Sequence, residues 1–376
     1  MKLWCFANLI ATMVIATSAF GASEIYNKNG NILNVYGNIS GGQYFSKSSN
    51  NSSSNYSFVR YGLFGETYLN GDKISGFGRW EHEFPLKNVE EGMYLADNGH
   101  ALLGYLGVKL GNFGSFDYGR NYGILHDVKS WTDFSSEFGG DTSLSDNFLS
   151  GRASNVITYR NSNFFGLLNG LNFAVQYQGE NNTNKATGRT VKTSNGEGYG
   201  ISASYHLNNG MAASVVYANS NRTFDQRSLD SDCSNEDPAE AYYVGVKYDA
   251  YGAYIAAVYG ETYNMTPFGN FDEVLNPESM YGFANKTRNV SVIAQYRFNC
   301  GLTPSISYLH SKASDLDNGY GNYLKKYVTL GSSYLFNKKI SATMDYRLNL
   351  LVKNDFTTAA KICTDDMFAV GLSYLF

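Results

Sequence analysis

Proline is scarce in this chain, with five residues in 376. Charge is scarce too: Asp, Glu, Lys and Arg make up 16%, against roughly 25% in an ordinary soluble domain. After the N-terminus no apolar run approaches the roughly 20 residues that a membrane helix needs, which excludes a helical membrane protein. The four cysteines, Cys5, Cys233, Cys300 and Cys363, are far apart and include no CxxC pair. Such spacing speaks against a metal site and a dense disulfide framework. A net charge of −4 gives no reason to expect nucleic acid as a partner.

What is present in quantity is Tyr (31), Phe (24) and Gly (39). That mixture favours strands joined by tight turns. The N-terminus reads as a secretory signal over residues 1–21. Lys2 supplies the positive start, Leu9 to Ala16 (LIATMVIA) the apolar core, and Ala19-Phe20-Gly21 the small residues of a cleavage site. The apolar core is too short for a membrane anchor. Cleavage after Gly21 removes Cys5 and leaves an odd number of thiols. A Cys233–Cys363 disulfide is compatible with an oxidising compartment, and free thiols are the plainer reading.

From Ala22 onward one pattern repeats. Segments of about ten residues alternate large apolar with small or polar side chains, which places one set on each face of a strand. Val35, Gly37 and Ile39 oppose Asn34, Tyr36 and Asn38 in the first such segment. Short turns such as Asn70-Gly71-Asp72 and Ala250-Tyr251-Gly252 alternate with long polar connections such as Lys47–Asn55, Asn219–Pro238, Asn264–Asn285 and Lys353–Asp365. The count comes to about sixteen strands, the arrangement of an up-and-down barrel with tight turns at one end and long loops at the other. The chain ends on a strand whose Phe368, Val370, Leu372, Tyr374 and Phe376 share one face. The expected fold class is therefore all-β: a transmembrane barrel.

One connection breaks the rhythm. Asn121 to Gly151 is long and irregular, and it holds Asp133, Glu137 and Asp141 around Gly139-Gly140. A long loop inside a regular strand repeat is usually functional or disordered. Here it is expected to fold into the lumen and set the bore.

The residues resemble a known family, the general trimeric porins of enterobacterial outer membranes. The resemblance lies in SEIYNKNGN (Ser23–Asn31), GSFDYGRNYG (Gly114–Gly123), SEFGGDT (Ser136–Thr142), TYRNSNFFGL (Thr158–Leu167), LNFAVQY (Leu171–Tyr177), GFANKT (Gly282–Thr287) and the ending VGLSYLF. It implies a 16-stranded antiparallel barrel, a homotrimer in outer-membrane lipid and lipopolysaccharide, and an inward-folded third loop. Residues 22–376 would form the barrel domain, with 121–151 as the constriction.

The resemblance also implies an acidic loop facing a basic wall. Asp133, Glu137 and Asp141 match the acidic side, and Arg60 and Arg152 match two wall positions. The chain departs from the pattern at Asn38, Phe64 and Leu102, where the family carries cations. Arg79 and His100 compensate in part if both face the lumen. Three loop acids against a depleted wall imply a preference for cations. Glu91 resembles the family's latch, which reaches a neighbouring subunit near the position of Arg120.

No catalytic constellation is present, and no cofactor or metal is expected. His82 lies between Glu81 and Glu83, but alternation sends it to the opposite face from both. The leading function is passive diffusion of ions and small hydrophilic solutes across the outer membrane. The alternatives are a substrate-selective porin and a surface adhesin or phage-receptor barrel using the long polar loops.

Overall fold

A computed structural model describes residues 23–47, 53–70, 73–86, 99–133, 147–229, 236–269, 271, 280–314, 316 and 322–376. The expected export signal lies outside them. Sixteen antiparallel strands close into one barrel. In chain order they are β1 (Asn31–Ser46), β2 (Phe58–Asn70), β3 (Ile74–Pro85), β4 (His100–Lys109), β5 (Ser115–Tyr122), β6 (Arg152–Asn161), β7 (Leu171–Gln178) and β8 (Gly198–His206). There follow β9 (Met211–Ser220), β10 (Ala239–Ala250), β11 (Ala253–Gly269), β12 (Tyr281–Tyr296), β13 (Leu302–Ser314), β14 (Asn322–Leu335), β15 (Ile340–Asn349) and β16 (Met367–Leu375).

Alternation explains why these segments share a sheet. On β9, Met211 and Val215 are exposed while Ala212, Ser214, Val216 and Ala218 are buried. The outward series continues across strands: Val175, Ile201, Tyr217 and Tyr242 are successive cross-strand partners. Such a band of apolar side chains suits contact with acyl chains. The opposite face carries small and polar residues and lines the interior.

The ends of the chain meet. β16 pairs with β1 from Met367 opposite Ser46 to Leu375 opposite Asn38. Gly37 and Phe376 exchange both main-chain hydrogen bonds, at 3.3 and 3.0 Å. The Phe376 ring lies so close that a Cβ on Gly37 would sit 2.5 Å from it. No edge is left to solvate, which a sheet in lipid requires.

Turns and connections divide as expected. The two-residue turn Tyr251-Gly252 has φ of 53° and 82°, the left-handed pair that such a hairpin needs. The structure adds a hairpin that alternation did not reveal: Ser23–Lys28 doubles back on β1 through Asn29-Gly30. It also extends β11 to Gly269 and begins β12 at Tyr281, inside the stretch 264–285 expected to be a loop. A bulge between Tyr263 and Thr266 carries the ladder onward. Beyond the hydrocarbon a strand needs no lipid-facing apolar side chains, so its sequence loses the pattern while the backbone keeps its hydrogen bonds.

His82 stacks between Trp80 and Phe84 at ring distances of 5.6 and 4.5 Å, on the face away from Glu81 and Glu83. Cys300 and Cys363 are free thiols, and Cys233 lies outside the described residues.

Deleting Phe376 removes two main-chain bonds worth about 1 kcal/mol each and uncovers Gly37. The truncated protein should unfold at lower temperature and fold in lower yield, read by heat-dependent gel mobility. An unchanged melting profile would show that closure does not depend on this residue.

Candidate functional site

The site is the interior where the long connection between β5 and β6 meets the wall. Both limbs of that connection are described; its tip, including Glu137 and Asp141, lies outside the described residues. The first limb turns inward after Tyr122 and forms a helical turn at His126–Lys129, followed by a 3-10 turn at Ser130–Thr132. The second limb returns through Phe148-Leu149. Ile124, Leu125, Val128, Trp131, Phe148 and Leu149 are buried in one cluster with Val156, Ala174, Val216, Ala241, Tyr243 and Val258 of the wall.

Shape makes room for this packing. A Cβ on Gly245 would stand 2.9 Å from Val128 and 3.2 Å from Trp131; one on Gly200 would stand 2.5 Å from Ile124. Glycine is needed at both wall positions for the limb to lie against the sheet.

Polar groups fix the limb's height. Gln176 accepts from the Ile124 N–H at 2.7 Å and donates to the Tyr122 carbonyl at 3.0 Å. Gln178 accepts from the Leu149 N–H at 3.2 Å. Tyr254 donates to the Trp131 carbonyl at 2.6 Å. Asp127 accepts from Arg160 at 2.8 Å and from Ser202 at 2.6 Å. These loop amides, carbonyls and the carboxylate therefore find wall partners, which avoids a penalty of about 1–3 kcal/mol per unsatisfied group. His126 stacks on Tyr122 at 4.2 Å. Burial pushes its imidazole down to about 4, with the cations Arg152, Lys129 and Arg160 acting in the same direction and Asp127 against it.

Asp133 caps the 3-10 turn and is exposed, at the point where the limb enters the tip. On the wall, Arg60, Arg79 and His100 come together, but around two carboxylates. Arg60 reaches Glu83 at 2.6 Å and Glu81 at 4.0 Å. Arg79 bonds Glu81 at 3.0 Å and the Tyr36 hydroxyl at 2.6 Å, and that hydroxyl donates to Glu81 at 2.9 Å. His100 stands 3.9 Å from Glu83. Further along the same strands Lys109 pairs with Glu66 at 2.8 Å. The wall formed by β2, β3 and β4 is thus charge-balanced rather than basic.

Arg152 lies elsewhere, its guanidinium 5.7 Å from the Tyr122 ring. Arg120 donates to the Ala101 carbonyl at 3.0 Å and to Ser154 Oγ at 3.0 Å within its own chain. Glu91 lies outside the described residues. Leu102 is the extra residue of a bulge: Glu81 faces Leu103 and His82 faces Ala101, so Leu102 has no partner across the ladder, and it is buried.

Asp127, Arg160, Gln176, Gln178 and Trp131 were not singled out from the sequence. Gln176 and Gln178 carried a signal, since they alternate with the outward Val175 and Tyr177 and so had to face inward. The partners they bind are remote in sequence and left no trace.

Comparison with known proteins places this geometry. The model of the Gram-negative porin family matches residues 28–376. The chain is 48% identical to outer membrane protein F of Serratia marcescens, over 98% of this chain and 99% of that protein. It is 44% identical to outer membrane porin C of Salmonella typhimurium, over 100% of both. Among solved structures, Salmonella typhi OmpF in complex with daunomycin matches with a TM-score of 0.84 at 39% identity, covering 94% of this chain and 100% of that one.

Gly245→Leu should push Val128 and Trp131 off the wall. The sheet's circular dichroism should be unchanged while the conductance changes; equal conductance would mean the limb does not bear on Gly245. The neutral His126 contributes stability in full above its unfolded value of about 6.5, and that contribution is lost as pH falls toward 4. An NMR titration of its ring with a midpoint near 6.5 would contradict this.

Proposed function

The chain belongs to the Gram-negative porin family, and from that premise we propose that it is a cation-preferring diffusion pore with its constriction made by the loop of residues 121–151. Passive passage through the outer membrane follows from membership: this is a channel protein and not an enzyme.

The observation that carries the selectivity is the pairing of Arg60 and Arg79 with Glu83 and Glu81. A cation bonded to a carboxylate contributes little net field to the water beside it. Asp133 is exposed at the start of the tip, and Glu137 and Asp141 follow it in sequence. Acids on the loop side then dominate the field that a permeating ion crosses. Small hydrophilic solutes keep their hydration in such a gap; apolar ones lose theirs.

The rest of the reading is of the same standing. Residues 1–21 direct export and are removed. Three copies associate, with Glu91 reaching a neighbour near Arg120. Lipopolysaccharide surrounds the outer rim, where Lys286 and Arg288 pair with the one carboxylate of Glu261 at 2.8 and 3.1 Å, so that one positive charge is left over for its phosphates.

Reversal potentials in a salt gradient test the selectivity. Replacing Glu81 and Glu83 together by Gln releases two wall cations. A unit charge at about 7 Å in water is worth about 0.6 kcal/mol, with opposite sign for a cation and an anion, so each release should lower the cation-to-anion permeability ratio by roughly sevenfold before screening and about twofold after it. An unchanged or increased ratio would sink the assignment. Stepwise currents in planar bilayers test the channel itself; a folded but silent protein would favour an adhesin. Glu91→Ala should lower the melting temperature of the assembly in detergent, and an equal melt would remove the latch.

A further inference from the structure

Lys247 borders the first limb of the constriction loop on the side of the short turns. On β10 the limb rests against Gly245, where Val128 and Trp131 approach the backbone. The next inward residue toward the Tyr251-Gly252 turn is Lys247, and its ammonium lies 4.5 Å from the centroid of the Trp131 ring. One cross-strand row joins His206 on β8, Ala212 on β9, Lys247 on β10 and Ala256 on β11. The alanines on either side are too short to cover the lysine head, and the side chain is only half-buried.

The lysine is held in place without being neutralised. Trp131 is itself fixed: the Tyr254 hydroxyl donates to its carbonyl at 2.6 Å, and the His206 ring meets it edge-on at 6.2 Å. An aromatic face attracts a cation through its quadrupole and leaves the net charge in place. Asp249, the acid two residues further along the same face of β10, is bonded to Arg297. Among the described residues no carboxylate pairs with Lys247. Arg60 and Arg79, by contrast, each have a carboxylate partner on the opposite wall.

We propose that Lys247 is a further selectivity-determining residue, an uncompensated cation that gathers anions at the short-turn edge of the constriction limb. A permeating ion then crosses two zones in series. Loop acids favour cations in the first, and Lys247 favours anions in the second. The consequence for permeation rests on the channel reading; the local charge does not. Because Lys247 lies toward one mouth, its reach is set by the salt on that side. The screening length is about 30 Å in 0.01 M salt and about 3 Å in 1 M.

Reversal potentials of Lys247→Gln and wild type, taken with the salt gradient in both directions, test the position and the sign. For an ion passing about 10 Å from the ammonium, removing the charge should raise the cation-to-anion permeability ratio roughly threefold when about 0.01 M salt bathes the short-turn side. It should change the ratio hardly at all when about 1 M salt does. Lys247→Arg should behave as wild type. A second measurement needs no current. Of the three tryptophans, Trp4 lies in the expected export signal and Trp80 faces outward, so a Trp80→Phe background reports Trp131 fluorescence alone. Iodide at about 0.1 M should quench it about twofold less in Lys247→Gln, whereas uncharged acrylamide should quench both proteins alike. Should Lys247→Gln fail to fold, the Trp80→Phe protein decides alone: iodide must quench Trp131 more than caesium does, each scaled to free N-acetyltryptophanamide. Equal iodide quenching with and without the lysine, or wild-type permeability ratios in both gradient directions, would overturn the proposal. A folded protein that carries no current would sink the channel reading, and the quenching would still decide whether Lys247 gathers anions.

Discussion

Main-chain hydrogen bonding is the constraint on which everything else here depends. In the bilayer interior an unpaired N–H or C=O has no water to turn to, so a sheet can cross only if it closes. Closure ties the first strand to the last, through Gly37 and Phe376, and so joins residues at opposite ends of the chain. Once closed, each strand has an outer face that must be apolar and an inner face that need not be. The alternation in the sequence is the consequence of that single requirement. The scarcity of charge has the same origin, since half of every strand is reserved for lipid contact.

The inner face then meets a different demand. A barrel of this size would hold a wide column of water. The limbs of the long connection fill part of it as a protein core does, with Val128 and Trp131 against glycine and alanine on the wall. The wall there gives up side-chain volume so that the loop supplies it. Gln176, Gln178, Arg160 and Tyr254 satisfy the polar groups that the limb carries inside. Both described limbs of the loop are thus held against the wall.

These two demands differ in how they show in sequence. The barrel is readable because lipid contact imposes a period of two on every crossing, as on β7, where Val175 and Tyr177 are exposed and Ala174, Gln176 and Gln178 buried. Where strands run past the hydrocarbon, as in β11 and β12, the period lapses and the ends were read as loop. The bulge at Leu102 was unreadable for another reason: one extra residue changes which side chains face which but leaves composition untouched. The wall pairing was within reach. Arg79, Glu81 and Glu83 alternate on one strand, so the same parity that sent His82 outward put both acids inward beside the arginine. The limb's partners were not within reach, because Asp127 and Ser202, or Trp131 and Tyr254, are brought together only by closure.

Charge placement within the pore follows from how width controls electrostatics. At physiological ionic strength a fixed charge is felt over about 8 Å. For a solute within that distance of the wall, a carboxylate beside Arg60 or Arg79 decides whether the guanidinium acts on it.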